Sequence, residues 1–233
     1  MASALNNGPQ FCIVPMADVA FLSSFRPSAA ALLSAYSWLM RERETRIILT
    51  TPRLVIRQFT EDDADNLFHL NGDPEVMRYL TGGKPTAREE IRDQIIPVHL
   101  GVYDRLDRLG TWAAESAATG EFLGWFHFRP GPDSDITNID LGYRLRRPAW
   151  NQGYATEGSR ALISMGFTHL GVGRVFAHTM TANTASRHVL EKCGLTLVRT
   201  TAYEGPYLIE GAERGEVEYA LTKPEWEART VGD

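Results

Sequence analysis

Residues 139–170 read IDLGYRLRRPAWNQGYATEGSRALISMGFTHL, and the spacing of their apolar side chains changes partway through. Ile139, Leu141, Tyr143 and Leu145 alternate with Asp140, Gly142, Arg144 and Arg146, the two-residue period of a strand buried on one face. Pro148 ends that strand, because proline has no N–H to give to a ladder. Trp150-Asn151-Gln152-Gly153-Tyr154-Ala155 follows as a tight loop, after which Ala161, Leu162, Met165, Phe167 and Leu170 fall on one helical stripe. A loop that runs into a helix N-terminus presents unpaired N–H groups and the positive end of the helix dipole. Strand, anion-binding loop and helix are therefore expected in that order, with phosphate as the ligand.

Upstream of this stretch, residues 51–59 alternate as a strand, and Thr60 with Asp63 opens a helix carried by Ala64, Leu67, Phe68 and Leu70. Gly72-Asp73-Pro74 closes it and begins a short helix over 74–80. Thr86 with Glu89 opens another, running to about Leu106 and bent or split at Pro97. Residues 111–115 and 122–129 read as the two strands of a hairpin. Downstream, residues 174–179 form a strand entered through a helical crossover, and so parallel to the strand that contains Asp140. A helix over 183–193 is closed by Gly194, and strands follow over 195–203 and 216–221. The sum is a mixed α/β sheet. Residues 1–45 are Ala/Ser-rich with a helix near 28–42, and read as an appendage without chemistry.

The 233 residues carry 43% hydrophobic and 23% charged side chains, enough for a normal core. The net charge of −5 comes with no Lys/Arg cluster, so sequence-independent binding to nucleic acid is not expected, and the acid balance mildly favours a cationic partner. Cys12 and Cys193 show no framework spacing, which fits a reducing, cytoplasmic setting. The apolar texture over 19–40 is broken by Arg26 and Pro27 and falls short of the about 18 clean residues a membrane span needs, so no membrane association is expected. Gly171-Val172-Gly173 precedes a strand rather than following one and is a turn, not a dinucleotide fingerprint. The six histidines lack metal-ligand spacing, so no metal is expected, and no GxSxG or GxxxxGK[ST] occurs.

The remaining motif is the loop with its surroundings. Asp140-Leu141-Gly142-Tyr143-Arg144-Leu145, then Trp150-Asn151-Gln152-Gly153-Tyr154-Ala155-Thr156-Glu157, then Asn183-x-x-Ser186-x-x-Val189-Leu190-Glu191-Lys192-Cys193-Gly194-Leu195 closely resembles the GNAT superfamily of acetyl-CoA-dependent N-acetyltransferases. The branch it is most similar to is the RimJ/RimL-type (ribosomal-protein-alanine acetyltransferase-like) one, which residues 51–56 and 73–80 also resemble. The likeness spans about residues 46–228. It implies the GNAT fold: an α/β (α+β) domain with a mixed, mostly antiparallel sheet, a splayed parallel strand pair and flanking helices. It also implies acetyl-CoA as co-substrate, its pyrophosphate on the amides of Gln152, Gly153, Tyr154, Ala155 and Thr156. Gly153 suits a place where a Cβ would hold the backbone off the phosphate. By the same resemblance the backbone of Tyr143 and Leu145 would hold the pantetheine arm and Asn183 would contact it.

Acetyl transfer needs a deprotonated amine, a polarised carbonyl and help for the leaving thiolate. Asp140 stands where the superfamily often has a Glu base. The position of its usual Tyr acid holds Leu190, which leaves Ser186 as the nearest substitute and Glu115 as a further candidate. The expected activity is acetyl transfer by direct attack to a primary amine, either a peptide N-terminus or a small molecule. A GNAT module that binds acyl-CoA without turnover stays open, as does an unrelated α/β domain in which residues 152–156 form an ordinary turn; the resemblance also leaves room for a homodimer.

Overall fold

The computed structural model describes residues 46–230 apart from 104, 107 and 132–134. The appendage expected over 1–45, with its helix and Cys12, lies outside the described residues. Strands β1 (Ile47–Thr50), β2 (Leu54–Gln58), β3 (Gly110–Ser116), β4 (Phe122–Pro130), β5 (Asn138–Leu145), β6 (Arg174–Met180), β7 (Thr196–Thr201) and β8 (Glu216–Thr222) make one sheet in the order β1-β2-β3-β4-β5-β6-β8-β7. Every neighbouring pair is antiparallel except β5 and β6, which are parallel, as the helical crossover between them requires. The helices are α1 (Ala64–Asn71), α2 (Pro74–Thr81), α4 (Tyr154–His169), α5 (Thr184–Lys192), α6 (Lys223–Thr230) and a composite α3. In α3 a turn over Arg88–Glu90 passes through a π-helical stretch, Ile91–Ile95, into Ile96–Tyr103.

Three differences from the sequence reading have local causes. The strand expected over 51–59 starts only at Leu54 and a further strand, β1, precedes it, because Pro52 falls in a turn closed by Thr51 N–H donating to the Leu54 carbonyl at 2.9 Å. Pro97 does not split α3; the wider π turn ahead of it relieves the crowding that a proline imposes on the carbonyl four residues back. Helix α6 was not expected, since its one large apolar side chain, Trp226, gives no periodicity; it packs on Phe167 with ring centroids 5.5 Å apart.

One face of the sheet carries Phe126, Phe128, Ile139 and Leu141 against Leu162, Ile163 and Phe167 of α4. Two glycines of α4 set the separation. A Cβ at Gly158 would stand 2.4 Å from the Phe126 ring, and one at Gly166 would stand 2.5 Å from the Phe128 ring. The opposite face carries Phe59, Ala113 and Phe122 beneath Leu67, Leu70, Ile91 and Ile96.

The parallel pair is incomplete. β5 and β6 are in register only where Asn138, Ile139 and Asp140 meet Arg174, Val175 and Phe176, although β5 continues to Leu145 and β6 to Met180. Beyond Asp140 the strands part. Arg146 N–H donates to the Leu123 carbonyl at 2.8 Å, so the backbone of even-numbered residues in β5 turns toward β4. Alternation then points the N–H and C=O groups of Tyr143, and the N–H of Leu145, into the gap.

Candidate active site

The sequence places a sharp loop where the gap opens, and the structure shows how it is held. Asn151 and Gly153 have φ of 58° and 84°, left-handed values that glycine adopts without strain. Gly153 is the N-cap of α4, so the first N–H groups of the helix, from Tyr154, Ala155 and Thr156, point outward beside those of Gln152 and Gly153. Arg53, just before β2, fixes this terminus: it donates to the Gln152 carbonyl at 2.8 Å and to Glu157 at 2.6 Å, and its guanidinium lies 4.6 Å from the Tyr154 ring centroid. Trp150 folds back so that its Nε1–H donates to the Leu145 carbonyl at 2.7 Å. The loop and the gap are thus joined by one indole.

Across the gap, Asn183 caps α5 by accepting from Ser186 N–H at 3.2 Å. Ser186 is therefore capped rather than capping, and its Oγ lies 3.1 Å from the Tyr143 hydroxyl, which also donates to the Ser186 carbonyl at 3.2 Å. Burial, foremost, pushes the Tyr143 phenol well above its ordinary range, so it stays protonated. Leu190, at the position of the missing tyrosine acid, is 1% exposed and packed in the core. Tyr143 and Ser186, assigned to different tasks from sequence, meet as one hydroxyl pair.

The other face of β5 carries Asp140, Gly142 and Arg144 beside Arg129, His127 and Trp125 of β4. His127 Nε2 lies 3.2 Å from Asp140 Oδ2, at ion-pair distance but out of line for a full hydrogen bond. Burial works to raise the Asp140 carboxyl, but the His127 contact and the charges of Arg129 and His178 outweigh it and hold the group below the usual carboxylate range. The imidazole stacks on Trp125 at 5.7 Å, and a Cβ at Gly142 would stand 2.5 Å from it. Neither His127 nor Arg144 was a candidate from sequence. The signal was present in the alternation Trp125-x-His127-x-Arg129, but it is legible only once β4 and β5 are in register.

His99 of α3 stacks on Phe59 at 5.2 Å, and its pKa is pushed down to about 4, first by burial and then by the charges of Arg129, His127 and Arg144. A histidine kept neutral in the fold stabilises it above the unfolded pKa of about 6.5, and that contribution is lost as pH falls toward 4. The expected loss across this window is about 2–3 kcal/mol. His99→Phe should flatten it in urea titrations, and an unchanged pH slope would remove His99 as the cause.

Glu115 is drawn elsewhere. Its carboxylate accepts from Arg57 at 2.5 and 2.8 Å, and the same guanidinium grips Asp63 at 2.7 and 2.9 Å. The structure thus brings Asp140 to the mouth of the gap and Tyr143, Leu145, Asn183 and Ser186 around it, and ties Glu115 into a separate ion cluster. A cavity of about 670 Å³ adjoins the loop, lined by His69, Leu70, Asp73 and Val76 on one side and Arg147 and Trp150 on the other. The flanking segments are clamped: Arg78 of α2 bonds Glu210 at 2.7 Å, and a Cβ at Gly82 would meet the Leu208 carbonyl at 2.2 Å. Among the described residues no group of three or more His, Cys, Asp or Glu could hold a metal ion, and no helix is long and apolar enough to cross a membrane.

Residues 53–196 match the family described as Acetyltransferase (GNAT) domain. The chain is 35% identical over 189 residues to the FsC-acetyl coenzyme A-N(2)-transacetylase of Aspergillus fumigatus, covering 76% of this chain and 77% of that one. Among solved structures, RimL, the ribosomal L7/L12 alpha-N-protein acetyltransferase in complex with coenzyme A, superposes with a TM-score of 0.64 at 19% identity, covering 76% of this chain and 98% of that one. Spermidine N-acetyltransferase from Vibrio cholerae, in complex with CoA and spermine, gives 0.62 at 15% identity, with 76% and 99% covered. At these identities the two structures establish a shared fold.

Proposed function

The chain belongs to the GNAT acetyltransferase family, and on that premise we propose that it moves the acetyl group of acetyl-CoA directly to a primary amine, the acceptor being a small molecule. The observation that carries this is the parting of β5 from β6 directly above a helix N-terminus. The gap offers the N–H and C=O of Tyr143 and the N–H of Leu145 to an amide-bearing arm, and the loop offers the amides of residues 152–156 to a pyrophosphate. The name of the fungal relative, which specifies an N(2) nitrogen, supports a small acceptor over a peptide N-terminus.

The residues divide the work as follows. His127, oriented by the ionised Asp140, takes the proton from the acceptor nitrogen. As the N–C bond forms and the C–S bond breaks, the N–H of Leu145 stabilises the carbonyl oxygen and the Tyr143–Ser186 hydroxyl pair donates to the departing thiolate. A covalent acetyl-enzyme has no support at Cys193, whose thiol is buried and pushed up to about 11 by that burial.

Acetyl-CoA at about 100 times its Kd should raise the melting temperature by roughly 5–10 °C. Gly153→Glu adds strain at a left-handed φ and a negative charge beside the phosphates, and should weaken binding by roughly tenfold or more. Absence of both effects would remove the donor assignment. The packed Leu190 favours one second reading, an acyl-CoA-binding module. Binding without release of free CoA thiol across a broad amine panel would decide for it.

A further inference from the structure

Arg144 differs from the part-buried arginines that hold carboxylates on this sheet. Arg57 pairs with Asp63 and Glu115, and Arg174 with Glu218. Arg144 has no carboxylate. It gives one hydrogen bond, from Nη1 to the neutral Asn71 Oδ1 at 2.5 Å, and rests 5.0 Å from the Trp125 ring centroid, while its Nε–H is buried without a partner. A part-buried cation with an enclosed, unsatisfied donor is costly, and a bound anion is one group that would complete it. Removal from water also lowers its pKa to about 10, which still leaves it charged at neutral pH.

Its surroundings add to the deficit. Arg129 shares this face as a second cation, His127 stands between it and Arg144, and Asp140 is the carboxylate among them. Arg144 and Asp140 are four residues apart on one strand face, a separation of about 13 Å at about 3.3 Å per residue. That span holds Asp140, which orients the proposed base His127, at one end and an unneutralised fork of donors at the other.

We propose that Arg144 anchors an anionic group of the acceptor, so that the amine to be acetylated belongs to a molecule that also carries a carboxylate or an equivalent acid. This rests on the acetyl-transfer reading and names the substrate class of that same site. The local field is opposite in sign to the chain's net charge of −5, which on its own suggested a cationic acceptor. Guanidinium is suited to the role, because its planar fork binds carboxylate with two parallel hydrogen bonds.

The test uses matched amines, each common amino acid against its own carboxamide. The kcat/KM ratio should favour the acid by roughly tenfold or more, because a site built around a polar partner rejects the analogue lacking it. In Arg144→Met the ratio should fall to about one, and Arg144→Lys should keep part of it. The melting shift with acetyl-CoA shows that the donor site of each variant is intact. Calorimetric binding of the same pairs to the CoA-saturated protein reads the anchor without turnover. A ratio near one in the unaltered protein, or an acid preference that survives Arg144→Met, overturns the anchor. Acid-selective binding with no thiol released keeps the anchor and sinks acetyl transfer instead.

Discussion

Arg57→Leu is expected to cost about 3–5 kcal/mol and to lower the melting temperature by roughly 6–20 °C. The guanidinium holds two carboxylates, Asp63 at 2% side-chain exposure and Glu115 at 22%, and links β2, β3 and the turn that opens α1. Asp63 also accepts from Thr60 N–H at 2.9 Å and Asn66 at 3.0 Å, so it cannot swing out to water without opening the capping box of that turn. Leucine would leave two enclosed negative charges facing each other. The Asp63 carboxyl lies below its ordinary pKa, since its hydrogen bonds outweigh the burial that would raise it. Its contribution is thus present above about pH 4 and is lost as pH falls through its folded value. Calorimetry across pH checks both statements. Glu115→Gln should give a smaller loss of stability and leave turnover near that of the unaltered protein. A large fall in kcat with an unchanged melting temperature would instead return Glu115 to the chemistry.

The second large effect is on rate. Asp140→Asn should reduce kcat/KM by about 10²–10³, and His127→Ala by a similar factor, with melting temperatures within a few degrees of the parent. If the two side chains act as one unit, the double variant should be scarcely slower than either single one. Losses that multiply would show two independent roles, and full activity in Asp140→Asn would exclude the pair as the base.

The strand, loop and helix over residues 139–170 were legible because each has its own period and its own stop, at Pro148 and Gly153. The parallel direction of β6 followed from the crossover length alone. The chemistry on the acceptor face was not legible, because it depends on register: His127 sits beside Asp140 only through the pairing of His127 with Gly142 and of Arg129 with Asp140. Local sequence does not count out that pairing across the long connection between β4 and β5. Glu115 shows the converse. An alternating strand marks it as a carboxylate on one face, while the partner that occupies it lies 58 residues earlier in the chain. Arg144 is illegible for a simpler reason: an arginine on a strand reads as an ordinary solvated charge until its lack of a counter-ion is seen in three dimensions.

The three-residue register between β5 and β6 has a further consequence. Most sheets end at their margins, where unpaired backbone invites another chain to add on and aggregate. This one also has a margin in its interior, along Tyr143 and Leu145, with strands standing on both sides of it. No second sheet can dock against an edge so enclosed. A slender molecule that carries its own amides can, and in doing so would bridge β1 to β5 with β6, β8 and β7. Occupancy of the donor site and mechanical continuity of the sheet would then be the same event, and amide hydrogen exchange along β5 and β6 should slow together when acetyl-CoA is added.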